Sequence, residues 1–285
     1  MILNIKNTTF IIVTYKSEKV IYDCLNSLPE ESKKIIIENS KNINLKKDLE
    51  NKYKNLEVII NENTGFGASN NLGIKKCDTQ FAYILNPDVK LKKNTFNFLS
   101  ESCLKISDFA LISPIHSDEK YPNYKINKKY DYVDENIFEV DDIDGFSMLI
   151  NKKNFDNNDY FDENFFLYLE NNDLCLRVKK KGYKIYIAKN SLIDHKGGAS
   201  SDINLFTEIE YLRNWHWMWS KFYYHKKHDG YFYAFFKIFR NLISALLKFV
   251  LYSITNNDKK KTFYKARFSG CINGLLLKKS WYRID

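Results

Sequence analysis

The sequence predicts an α/β protein: a doubly wound, mostly parallel sheet flanked by helices, with an α-helical C-terminal extension. Three observations predict it. From Thr8 to Ile112, short β-branched runs alternate with amphipathic stretches, the pattern of a right-handed parallel sheet. One of those runs, Phe81 to Leu85, breaks at Asn86-Pro87-Asp88, because proline lacks an amide donor and disfavours helix before it. A carboxylate thereby stands at the carboxyl end of a strand, where open α/β sheets bind ligands. Beyond residue 205 the chain turns to long helical segments dense in aromatic and basic residues.

Taken in order, Thr8 to Thr14 is β-branched and aromatic, a buried first strand. Ser17 is placed to cap a helix reaching Leu28, with Val20, Ile21, Cys24, Leu25 and Leu28 on one face. Lys33 to Ile37 is a second strand ending in Glu38-Asn39-Ser40; Leu45 to Tyr53 is helical, and Leu56 to Ile60 is a third strand. Asn63-Thr64-Gly65-Phe66-Gly67-Ala68-Ser69-Asn70-Asn71 follows, a glycine loop opening a helix. Its backbone amides suit a phosphate or a sugar, or the loop is a plain glycine turn. It is not a dinucleotide fingerprint: Asn70 holds the third glycine position, and no acidic residue follows at the required distance. Strand four, Phe81 to Leu85, comes next, then a helix over Thr95 to Ser107 and a strand over Phe109 to Ile112.

After Pro114 the pattern changes. Residues 116–143 read as a long loop or short antiparallel pieces. Asp144 to Ile150 is a strand with Gly145 near its start, where another group approaches closely. Glu170 opens a helix that ends at Gly182. Glu170 and Asp173 share its first turn, either for chemistry or to complement the helix dipole. Tyr183 to Ala188 is a strand, and His195 precedes Gly197-Gly198. The last third holds helices over Leu205 to His228 and Tyr231 to Ile254, and a final helix with Ala266, Gly270 and Gly274 at every fourth position. Lys237, Arg240, Asn241, Ser244 and Lys248 form a polar stripe on an otherwise apolar helix. Such a helix suits a membrane interface or packing against the rest of the protein.

Net charge is +9, but residues 221–285 hold 14 Lys/Arg against 3 Asp/Glu, so the first 220 residues are slightly acidic. Anything the basicity attracts binds at the C-terminal end. No nucleic-acid reading motif accompanies it. The five cysteines are scattered without metal spacing, which fits reduced thiols in the cytoplasm. The N-terminus lacks a signal peptide's basic and apolar regions, and no uncharged run reaches the ~20 residues of a spanning helix.

Five segments in this order resemble the family-2 inverting glycosyltransferases of GT-A fold, especially their rhamnosyltransferase-like bacterial branch. They are Ile12-Val13-Thr14-Tyr15-Lys16-Ser17, the glycine loop, Asn86-Pro87-Asp88, Phe166 to Arg177, and His195-Lys196-Gly197-Gly198. The resemblance covers residues 8–220. It implies that Thr14, Tyr15 and Glu38 hold the nucleotide base, Glu38 standing where the family usually has aspartate. Gly65, Phe66, Gly67 and Asn70 line the nucleotide-sugar site, with Asn86 and Arg177 supporting donor binding. Gly145 and Phe146 belong to the acceptor or sugar pocket. Asp88 binds Mg²⁺ or Mn²⁺, and His195 is a further metal or diphosphate ligand. The family's catalytic base lies in a Glu-Asp pair, which here reads Glu170-Asn171. Glu170 or Asp173 then takes the acceptor proton, or the protein is a weakened, nucleotide-sugar-binding scaffold. The expected partners are a UDP- or dTDP-linked sugar, rhamnose among them, and a surface glycan on a polyprenyl carrier. Residues 1–204 form the catalytic domain. Residues 205–285 meet the inner face of the plasma membrane or a second copy in a homodimer.

Overall fold

The computed structural model describes residues 2–106, 108–126, 131–156, 159–197 and 206–284. The chain divides into two units, Met1–Asp162 with Asn171–Ser200, and Glu163–Glu170 with Ser201–Asp285.

The first unit begins with β1 (Thr8–Thr14), α1 (Ile21–Ser27), β2 (Lys33–Glu38), α2 (Ile43–Lys52), β3 (Leu56–Ile60), α3 (Phe66–Lys76) and β4 (Phe81–Leu85). Then follow β5 (Val89–Leu91), α4 (Thr95–Lys105), β6 (Leu111–His116), β7 (Tyr124–Lys125), β8 (Asp131–Asp134), β9 (Ile137–Glu139) and β10 (Asp142–Ile143). β11 (Ser147–Asn151), α5 (Glu170–Lys180) and β12 (Ile185–His195) complete it, α5 starting one residue inside the other unit. Ten strands form one mixed sheet in the order β3-β2-β1-β4-β11-β6-β12-β9-β8, with β5 paired to β12. Pairing is parallel across β3-β2-β1-β4 and again between β6 and β12. β11 enters antiparallel between β4 and β6.

Alternation along the strands covers both faces. Phe10, Ile12, Ile36 and Tyr83 pack with Leu25 of α1, Leu49 of α2 and Leu99 of α4. Ile11, Ile37, Ala82 and Ile84 pack with Ile74 of α3 and Leu174 and Val178 of α5. Each such aliphatic side chain contributes about 1.5–3 kcal/mol on full burial, and a sheet covered on both faces can hold its parallel strands. All five cysteines are buried and free.

Two elements differ from the sequence expectation for physical reasons. Ser17 does not cap α1: its hydroxyl bonds back to Tyr15, and its carbonyl accepts the amides of Val20 and Ile21 in a preceding turn. Pro114 lies inside β6 instead of ending it. The register of β12 shifts between Ala188 and Leu192, beside Pro114, so an irregular ladder meets the residue that has no amide to give.

The second unit holds α6 (Phe206–Asp229), α7 (Tyr231–Ile254) and α8 (Asp258–Leu275). The segment Glu163–Glu170 belongs with these helices because its side chains seat on α6. Phe165 meets Tyr223 edge-on at 4.8 Å, Phe166 lies 4.6 Å from His216, and Ser220 Oγ donates to Leu167 O at 2.8 Å. The aromatic density of α6 is core: Trp215 is fully buried and donates to Ser269 Oγ, and Trp219 donates to Lys278 O. The small residues of α8 meet α6 within the chain. A Cβ on Gly270 would lie 2.3 Å from Trp215 O, and one on Gly274 would lie 3.1 Å from Phe222 Cβ. Gly270→Ala should therefore push the helices apart and cost about 1–3 kcal/mol, seen as a lower melting temperature. A melt equal to wild type would mean that this contact is not close-packed.

Candidate active site

The candidate site lies at the carboxyl edge of β1, β2 and β4. β5 folds back from β4 and pairs antiparallel with the end of β12, Val89 opposite His195. That pairing brings together Asp88 and His195, whose Oδ1 and Nε2 are 3.2 Å apart. Asp88 is 7% exposed. The His195 ring stacks on Phe146, centroids 4.0 Å apart at 19°. His195 N donates to His116 Nε2 at 3.2 Å, which leaves the His116 ring proton on Nδ1, 3.4 Å from Asp118 O. Asp144 also lies near this cluster. Burial raises its carboxyl above the usual range, opposed chiefly by the charge of Lys125.

Among the described residues, no group of three or more His, Cys, Asp or Glu side chains is placed to hold a metal ion. The Asp88–His195 pair still fits a hard divalent cation of the kind that takes one or two protein ligands and the rest from phosphate oxygens and water.

The glycine loop carries the geometry its composition asked for. Gly65 has φ +98°, a region that residues with a side chain rarely adopt, and it turns directly into α3. A network holds the loop to β2: Asn39 Nδ2 donates to Ser69 Oγ (2.8 Å), and Asn61 Nδ2 donates to Asn39 Oδ1 (3.0 Å). Asn71 clamps Phe161 by accepting its N–H and donating to its carbonyl. Gly145 gives space to Phe66, since a Cβ there would lie 3.1 Å from Phe66 Cε1. Asn86 N donates to Phe146 O, joining the turn to the approach of β11. Gly67 is buried in the first turn of α3.

Four of the expected site residues make contacts within the protein. Glu38 is wholly buried, and its carboxylate accepts the Thr14 hydroxyl (2.6 Å), the Ser40 amide (2.7 Å) and the Ser40 hydroxyl. It brackets the ends of β1 and β2 and occupies Thr14 in doing so. Asn70 is wholly buried and donates to Phe66 O at 2.9 Å, while its Oδ1 has no hydrogen-bond partner among the described residues. Asp173 is also wholly buried, its Oδ2 held by Arg177 Nε at 2.8 Å. Arg177 in turn donates to Asp159 O and Tyr160 O, so the pair fastens α5 to that loop.

Tyr15 and Glu170 behave otherwise. Tyr15 Oη and Glu170 Oε2 are buried without a hydrogen-bond partner among the described residues. Buried polar groups are normally satisfied, so an orphan is a place to look for a ligand. Burial pushes the Glu170 carboxyl up to about 7, against the pull of its own backbone N–H. Tyr168 and Leu169, just before it, both hold positive φ (+72° and +67°), a costly backbone braced where Tyr168 meets Trp217 edge-on at 5.3 Å. Asn171, in place of the expected second acid, donates to Ile143 O at 2.9 Å and ties α5 to β10.

Sequence reasoning missed Asn39, Ser69, Asn71, His116 and Asp144. Asn39 follows directly on Glu38, and Asp144 on the glycine side of Phe146; their positions at strand ends were the available signal.

The order of the sheet, parallel across β3-β2-β1-β4 with β11 inserted antiparallel, is that of the GT-A fold class. More finely, the sequence model of Glycosyl transferase family 2 matches residues 9–194, and the chain belongs to that family. It is 29% identical over 210 residues to rhamnosyltransferase WbbL of Escherichia coli K12, covering 62% of this chain and 78% of that one. It is 24% identical over 196 residues to the low-salt glycan biosynthesis hexosyltransferase Agl10 of Haloferax volcanii, covering 62% of this chain and 63% of that relative. The fold is shared with the mannosyltransferase PcManGT of Pyrobaculum calidifontis, solved with GDP-Man and Mn²⁺. There the TM-score is 0.57 at 10% identity, over 96% of this chain and 88% of that one.

Proposed function

We propose that the enzyme transfers a sugar, rhamnose or a related hexose, from a UDP- or dTDP-linked donor to a surface glycan on a polyprenyl carrier, with inversion at the anomeric carbon. The observation that carries this reading is the Asp88–His195 pair at the end of β4. There Asp88 and His195 would hold Mg²⁺ or Mn²⁺ against the diphosphate. The bound ion would supply positive charge for the leaving nucleoside diphosphate.

The chain's own residues do the rest. The Gly65–Gly67 turn presents backbone amides to the donor, and Tyr15 offers its unpaired hydroxyl to the nucleotide. Glu170 accepts the acceptor's hydroxyl proton. The freed oxygen bonds to the anomeric carbon as the bond to the diphosphate oxygen breaks, and the electron pair leaves with the diphosphate. One base and no covalent nucleophile suffice, so Asn171 removes nothing essential.

A donor screen tests the reading. With UDP- and dTDP-linked sugars, Mn²⁺ or Mg²⁺ should give release of the nucleoside diphosphate, and chelator should stop it. Absence of metal-dependent release with every donor would overturn the reading. Nucleotide binding by calorimetry without turnover would point to the scaffold instead.

A further inference from the structure

α7 shows an exposed apolar face that the helical unit leaves open. Phe232, Phe236, Ile243, Leu247, Val250 and Ile254 recur at helical spacing, and Phe232, Phe236 and Ile254 are each more than 70% exposed. The opposite stripe, Ala234, Ile238 and Ala245, is buried within the unit. A coherent apolar face of this kind marks an interaction surface.

Charge says which partner it fits. α7 contains no Asp or Glu, and it carries Lys237, Arg240 and Lys248. At 100° per residue these three lie on one flank of the apolar face. The polar stripe of the sequence divides here: Asn241 is taken by Lys221 Nζ at 3.0 Å, while Lys237, Arg240 and Lys248 are exposed. A cleft of about 380 Å³ along this face is lined by Phe239, Arg240, Ile243, Ser244, Leu247 and Lys248, apolar walls with two cations. Among the described residues no helix is long and apolar enough to cross a membrane. A helix about 36 Å long with an aromatic and aliphatic face and a basic flank lies in an interface instead of spanning it.

We propose that α7 lies in the plane of an anionic lipid bilayer, its exposed apolar face among the acyl chains and Arg240 and Lys248 on the headgroup phosphates. The proposal deepens the lipid-carrier reading and is independent of which residue is the base, because its readout is binding and not turnover. The partner is the bilayer surface: a second copy of this chain would set three like charges per helix against one another.

The test is co-sedimentation of the full-length protein with vesicles of phosphatidylcholine, alone or mixed with phosphatidylglycerol. Binding should favour the anionic vesicles and weaken with salt. Arg240→Ala/Lys248→Ala should weaken it about twenty-five-fold, at about fivefold per charge. Phe236→Ser/Leu247→Ser should weaken it about a hundredfold. All four residues are exposed, with the Lys248 ammonium 5.1 Å from the centre of the Tyr264 ring of α8, so melting temperatures should stay within a few degrees of the wild-type value. Equal vesicle binding by wild type and either double variant would overturn the proposal. So would a wild-type dimer that Phe236→Ser/Leu247→Ser dissociates while vesicle binding persists, since the face would then be a self-interface.

Discussion

Asp88→Ala should lower transfer by about a thousandfold or more while the protein stays folded, because the side chain removed holds charge and little else. Asp88 ends β4 and is tied to His195 Nε2, but its backbone bond from Lys196 N and the β5–β12 ladder survive the substitution. The melting temperature should therefore move little. Asp88→Asn should lose nearly as much, since an amide keeps the shape but not the charge. The second readout is calorimetric. Mn²⁺ should tighten nucleoside-diphosphate binding to wild type and leave binding to Asp88→Ala unchanged. A variant that keeps both metal-dependent tightening and turnover would remove Asp88 from the site.

The pair that this experiment dissects shows where sequence reading works and where it stops. Strands such as Thr8–Thr14, Leu56–Ile60 and Phe81–Leu85 were legible to the residue, because β-branched runs bounded by breakers leave little choice. β5 was not legible. Three residues carry no period, yet their pairing with Ile193–His195 joins Asp88 to a histidine 107 positions away. Pro114 misled for the opposite reason, since a strong local breaker was absorbed by an irregularity in the neighbouring strand. At the site, residue types were readable and directions were not. Glu38, Asp173 and Arg177 have the chemistry of ligand contacts, but each spends it inside the protein. A satisfied polar side chain and an expectant one look alike in sequence. Among the described residues, Glu170 Oε2, Tyr15 Oη and Asn70 Oδ1 differ from them by lacking a partner.

For Glu170 that lack has two measurable consequences with opposite signs. Its carboxyl, raised by burial to about 7 from an ordinary value of 4.5, must be ionised to take a proton. The value of kcat/KM should thus rise with pH through about 7, and Glu170→Gln should lower kcat by about 10²–10⁴ with no such rise. Stability runs the other way. Between 4.5 and about 7 the folded protein binds a proton that the unfolded chain has released. That contribution is complete below 4.5 and is lost as pH climbs through the folded value, at a cost of roughly 3 kcal/mol. Glutamine imitates the protonated carboxyl at every pH. Glu170→Gln should therefore melt near wild type at pH 4.5 and several degrees higher at pH 8, while transferring almost nothing. A variant that is inactive and also less stable at pH 8 would mean that Glu170 is structural. Equal activity at pH 8 would mean that another group takes the proton. Only a buried, unpaired, ionised acid predicts gain in one measurement and loss in the other.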